Sequence, residues 1–349
     1  MNRHLSRAGF GRAFRQDGFG GAFRQAGFGL VEMMVSLTLG LVVVGGATVL
    51  LVATKQSNGS TDNLSRMAES MRTSYDLMVR EVREAGGTPC DSQLLVSDVL
   101  TNAQGVTPTW WATWGDPVRG FDGADAFDGA AFGTTTGQRI GGTAALVVRY
   151  GAAIDNLAVS SHATGSATVT TNVANHGIAA GDVLMMCNYK QAAIFQVTAA
   201  NTAAGTYVHD TSAATPGNCS KGLGFPTLCT STGTTLKFSA GSLIGRYIGV
   251  GWYIGANGRP ETGGRSLFRV TRLGAEEVAE GVRDMQLRYL VANGASYVAA
   301  AAVTDWSTVT AVRFDLTYES PDASVSTATA GARLTRPVSF TVNIRNLQP

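Results

Sequence analysis

Glu32 is the one ionisable side chain in a 26-residue apolar run from Phe28 to Ala53. A carboxylate in the middle of a membrane helix costs about 2.5–3.5 kcal/mol on insertion scales, so it needs a partner. A cut between Gly27 and Phe28 would leave a new α-amino group four residues before Glu32. That amine on a neighbouring subunit would neutralise the carboxylate and couple the charge to assembly.

The other groups able to do chemistry form no catalytic set. Four cysteines, Cys90, Cys187, Cys219 and Cys229, all lie after the apolar run. An even count in an oxidising compartment suggests two disulfides, and four cysteines allow three connectivities. The pairing preferred here is Cys90–Cys187, tying the end of a helix to a sheet, with Cys219–Cys229 closing a loop. No CxxC pair occurs, and His4, His162, His176 and His209 show no ligand spacing, so no metal and no cofactor are expected. Asp122, Asp125 and Asp128 stand three apart, whereas a calcium-binding EF-hand loop sets its acids two apart, so a solvated turn is the reading. Trp110, Trp111 and Trp114 are assigned to the core. There is no Walker A loop, no G-x-G-x-x-G after a strand and no G-x-S-x-G elbow, so no catalytic residue is named and no enzyme is expected.

The elements that must position these groups begin with a charged tail. Residues 1–27 carry five arginines against one acid, Asp17, a local charge of +4, in a chain whose net charge is +2. The body is therefore slightly acidic, and binding to nucleic acid through phosphate contacts is not expected. As a helix the apolar run rises about 39 Å, more than a bilayer core requires. Basic residues before it place the tail in the cytoplasm and the rest of the chain outside. A cleaved secretory signal has a shorter apolar region and a small-residue cleavage site, which Ala53-Thr54-Lys55 does not supply. A plain signal anchor fits the run but leaves Glu32 unexplained.

After a polar break at Lys55–Gly59, the spacing of Leu64, Met67, Met71, Tyr75, Met78, Val82 and Ala85 predicts one face of a helix. Arg66, Glu69, Arg72, Arg80 and Glu81 fall mostly on its other faces, and Gly86, Gly87 and Pro89 stop it. Beyond it, strands are expected at 144–150, 182–186, 193–197, 267–270, 285–289, 311–318 and 338–344. The Gly-, Thr-, Ser- and Ala-rich stretches 152–180, 199–222 and 320–333 read as loops, and 276–282 as a short helical turn.

Gly27-Phe28-Gly29-Leu30-Val31-Glu32 followed by apolar sequence closely resembles the type IV prepilin motif. The tail repeats itself, GFGRAFRQD at 9–17 and GFGGAFRQA at 18–26, but Phe14 and Phe23 stand where the acid should be. Cleavage is therefore expected only after Gly27. The resemblance implies a prepilin peptidase that cuts between Gly27 and Phe28, N-methylation of Phe28, and a register role for Glu32 in filament assembly.

The C-terminal half adds Val250–Ile254, Ser266–Arg269, Val278–Tyr289, Val303–Ser307, Val309–Phe314 and Phe340–Asn346, in that order. In order and spacing these segments resemble the minor pilin PilW family, and more weakly the type II secretion pseudopilin J. The likeness covers about 28–95 and 180–349.

The fold class expected is α+β and type IV pilin-like: a leader at 1–27, a transmembrane part of the helix at 28–53, its periplasmic amphipathic part at 54–86, and a β-rich head at 87–349. The implied partners are other minor pilins, the major pilin, a PilY-type tip adhesin and the inner membrane before assembly. The alternatives carried forward are a pseudopilin and a membrane-anchored adhesin that never enters a filament. Twitching, attachment and DNA uptake all remain open as the task of the pilus.

Overall fold

In a computed structural model, describing residues 27, 29–90, 94–101, 110–323 and 332–347, the apolar run and the stripe after it form one helix, α1 (Leu30–Glu84). The leader and Phe28 lie outside the described residues. The chain divides into two units, residues 1–57 and Asn58–Pro349.

In the first unit, α1 starts with its own cap. The Gly29 amide donates to Oε2 of Glu32, three residues on, at 3.3 Å, which is half of a capping box. Polar side chains within the apolar stretch turn inward to the backbone. Ser36 donates to the Glu32 carbonyl at 2.7 Å, and Thr54 to the Leu50 carbonyl at 2.8 Å. Gly40, Gly45 and Gly46 do not interrupt the helix.

The Lys55–Gly59 stretch does not interrupt it either, since without a proline the ladder of backbone hydrogen bonds can run straight through. In the second unit, α1 buries Asn63, Met67, Ser74, Met78, Val79, Glu81 and Val82. The expected stripe is corrected at five residues. Leu64 and Tyr75 remain 49% and 43% exposed, and polar Asn63, Ser74 and Glu81 point inward. Each of the three has a partner that apolar spacing cannot reveal. Asn63 exchanges two hydrogen bonds with Asp322, and Ser74 donates to the Ser70 carbonyl. Glu81 meets Trp252 and Arg269.

The helix ends where Gly86 takes φ +71°, and a Cβ there would lie 2.9 Å from Leu347. The Asn346 amide closes the turn by donating to the carbonyls of Glu84 and Ala85 at 3.1 and 3.2 Å.

The described residues then form fourteen strands. In chain order they are β1 (Leu95–Asp98), β2 (Val118–Phe121), β3 (Ala145–Ala163), β4 (Thr168–Thr171), β5 (Val183–Cys187), β6 (Gln191–Gln196) and β7 (Ala199–Asn201). There follow β8 (Thr206–Val208), β9 (Leu243–Ala256), β10 (Arg265–Thr271), β11 (Gly274–Glu280), β12 (Val282–Val291), β13 (Val309–Glu319) and β14 (Thr335–Asn343). One sheet runs β1-β6-β5-β9-β3-β4-β8-β7, with β2 on β3, β10 on β9 and β11 on β10; a second is β12-β13-β14. Among these fourteen strands β1 and β6 alone pair in parallel.

Two expectations fail here. The stretches read as loops at 152–180 and 199–222 hold the second half of β3 and strands β4, β7 and β8. In β4 the apolar signal is the single residue Val169, buried between Thr168 and Thr170. The helical turn expected at 276–282 is β11, whose acids are held by arginines: Glu276 by Arg269, its partner across the ladder, and Glu277 by Arg259 from the turn before β10.

The long β3–β9 pair is the partition of the head. Leu146, Val148, Val250, Trp252 and Ile254 face one core, shared with Met67, Met78, Val79 and Val82 of α1 and with Met285, Leu287, Val312 and Phe314 of the second sheet. Alternation along each strand sends Ala145, Val147 and Tyr253 to a separate cluster with Phe127 and Phe268. The result is an α+β fold, one long N-terminal helix packed through its C-terminal half on a β-rich head.

Candidate functional site

Among the described residues α1 is the one helix long and apolar enough to cross a membrane. In its first unit every large apolar side chain from Leu30 to Val52 is exposed, Leu30 by 77% and Leu41 by 78%. Such a continuous band is stable only in lipid or against other apolar helices. Gly27 is exposed and outside the helix. Glu32 stands in the first turn, also exposed, and its own Gly29 amide is the one hydrogen-bond donor described for its carboxylate. That leaves acceptor capacity free for a cation or amine from outside the chain.

The second polar centre joins α1 to the head, and sequence reasoning placed its key residue on the wrong face. Oε2 of Glu81 accepts from Trp252 Nε1 at 2.7 Å, and Oε1 accepts from Arg269 Nε at 2.9 Å. Arg269 also holds Glu276 at 2.8 Å. Desolvation lifts the Glu81 carboxyl above the usual carboxylate range, opposed by the Arg269 and Trp252 hydrogen bonds. A signal for this role was present: Glu81 follows Met78 by three positions and precedes Val82, so it sits on the edge of the apolar stripe.

The cysteines come together in two disulfides, Cys90–Cys187 and Cys219–Cys229. The first ties the chain six residues past α1 to the last residue of β5; the second closes a loop between β8 and β9. Among the described residues no three His, Cys, Asp or Glu side chains gather as a metal site. The Asp122–Asp128 turn is instead organised by Arg139, fully buried, whose guanidinium donates to the carbonyls of Asp122 and Asp125 at 2.9 and 2.8 Å and to that of Thr143. Burial pulls the Arg139 guanidinium down to about 10.

The tryptophans line the core as expected: Trp111 is buried, and Trp110 stands edge-on to Phe127 at 5.2 Å. Near them Asp98 accepts from the Leu100 and Trp114 amides, and burial pushes its carboxyl up to about 6. Arg149 donates to the carbonyls of Asp116 and Trp110, holding the same loop. His162 and His209, which showed no spacing relation, meet in the interior with their Nε2 atoms 3.0 Å apart. These tertiary groupings carry no local sequence signal, since most of their members come from separate stretches of the chain.

Residues 22–48 match the family model of the prokaryotic N-terminal methylation motif. The match spans Gly27, Phe28, Glu32 and the start of α1. Comparisons with curated proteins and with solved structures find no match. The motif supports a type IV pilin- or pseudopilin-like protein, a structural subunit anchored in the membrane by α1 before assembly. It also points to processing by a prepilin peptidase and to assembly with other pilins.

Proposed function

We propose that this chain is a minor pilin of the PilW kind, which primes assembly of a type IV pilus. The observation that carries the reading is Glu32 in the first turn of a helix whose apolar half is exposed, four residues after Phe28. Cleavage after Gly27 removes the leader, and Phe28 becomes the methylated N-terminus. The segment 28–53 then waits in the inner membrane, with 54–86 and the head at 87–349 in the periplasm. Two disulfides suit that oxidising compartment.

In the filament the amine of one subunit neutralises Glu32 of its neighbour and fixes their register. The first subunits of a filament have no neighbours to bury their helices, so a preassembled cluster of minor pilins lowers the barrier to starting. A head enlarged by β4, β7 and β8 suits the tip better than a repeating shaft, where each head must accommodate its neighbours. There it joins other minor pilins, adjoins the major pilin and presents a PilY-type adhesin.

The test is deletion of the gene with quantitation of sheared surface pili and secreted exoproteins. Loss of pili with normal secretion, restored by the wild-type gene but not by Glu32→Ala, is the expected result. Loss of secretion with normal piliation moves the chain to the pseudopilins. Full function of Glu32→Ala makes it an anchored adhesin outside any filament.

A further inference from the structure

The two buried histidines of the head define where each of their protons sits. The Phe238 amide donates to Nδ1 of His162 at 3.1 Å, so that nitrogen is bare and the ring carries its proton on Nε2. That N–H donates to Nε2 of His209, 3.0 Å away, which must also be bare. His209 therefore keeps its proton on Nδ1, a buried atom with no described partner. The pair holds two protons in two fixed places, and a third has no place to go. On Nε2 of His209 it would set two N–H groups head to head; on Nδ1 of His162 it would oppose the Phe238 amide.

The pair joins three separate stretches of chain. His162 lies near the end of β3, beside β4, in register with Val169. His209 follows β8, and its amide donates to the Ala167 carbonyl at 2.9 Å. Phe238 belongs to the segment leading into β9. His209 packs on Phe195 of β6, with ring centres 5.2 Å apart.

We infer that the His162–His209 pair is an acid-opened latch: one proton beyond the two it holds separates the end of β3, the end of β8 and the segment at 236–238, and loosens the β4-β8-β7 flank of the head. Desolvation opposes charge on both rings, bringing His162 down to about 4 and His209 to about 3. The charged groups acting on the pair are Lys237, which adds to that effect at His162, and Asp210, which opposes it at His209.

The unfolded imidazoles take protons below about 6.5, while the folded pair does not. Stability from the pair is thus complete above that pH and declines as pH falls toward 4. The β12-β13-β14 sheet contains neither histidine and stays closed in the same range.

The experiment uses the full chain in detergent micelles. Histidine-selective NMR between pH 7.5 and 3.5 is read beside amide hydrogen exchange corrected for intrinsic rate. Expected are opposite tautomers for His162 and His209, no protonation at pH 6, and loss of protection in β4, β7 and β8 near pH 5 while β12–β14 remain protected. His209→Gln keeps an acceptor oxygen for His162 but takes no proton itself, and should move that loss down by about one pH unit.

Titration of either ring near pH 6.5 overturns the latch. So does protection of β4 and β8 that survives to pH 4, or a loss at unchanged pH in His209→Gln. If that variant does not fold, the tautomers and titration of the wild-type rings decide alone.

Discussion

Glu81 shows how one side chain fixes the seat of a helix. Its two oxygens are divided between Trp252 on β9 and Arg269 on β10, so sliding α1 by a turn would break both bonds and leave a buried carboxylate. Apolar contacts from Met78 and Val82 supply attraction but tolerate small shifts, whereas this triad accepts one register. Glu81→Ala should therefore destabilise the head by about 3–5 kcal/mol, because Arg269 is left largely buried with only Glu276 beside it. Replacing Glu81 and Arg269 together with apolar residues should recover much of that loss. Urea unfolding followed by tryptophan fluorescence measures both; equal destabilisation by the single and double variants would show that the pair does not act as a unit.

At the scale of elements, the disulfides divide the labour by loop length. Cys90–Cys187 closes a separation of 97 residues, and Cys219–Cys229 one of 10. In the chain-entropy description the first contributes about 4–5 kcal/mol and the second about 2–3 kcal/mol. Alanine pairs at each site, compared by denaturant midpoint, should follow that order; a larger loss at the short loop would contradict it.

Legibility in the sequence varied with the kind of element. The helix was readable because its signal is long and one-dimensional, and even the Lys55–Gly59 stretch hid no real interruption. Strands rich in branched and aromatic residues, such as Val309–Glu319, stood out for the same reason. Strands β4, β7 and β8 did not, because Thr and Ala supply little apolar contrast and their order comes from neighbours on the ladder. Glu32 stood out as the one ionisable side chain in the apolar run, and Gly27 and Phe28 through their resemblance to the prepilin motif. Glu81, Arg139 and the histidine pair could not, since each answers a partner on another strand or turn.

For the whole molecule, the two units demand different solvents. Residues 30–52 expose an unbroken apolar surface, while the unit from Asn58 onward holds its own core, both disulfides and both sheets. A chain beginning at Asn58, exported to an oxidising compartment, should therefore be soluble and monomeric without detergent. The chain beginning at Phe28 should leave the membrane only with detergent. Size-exclusion chromatography with light scattering distinguishes them, and aggregation of the shorter chain would mean that its core depends on the apolar half of α1.

The turn that ends α1 carries a consequence for biogenesis. Its last carbonyls are satisfied by Asn346, 262 residues downstream of Glu84. The end of α1 thus waits for Asn346, so the helix acquires its final bonds only after the strands of the head have been made. Until then its end stays frayed and accessible to proteases and chaperones. Quality control can in this way read a truncated chain at the helix, far in sequence from the truncation itself.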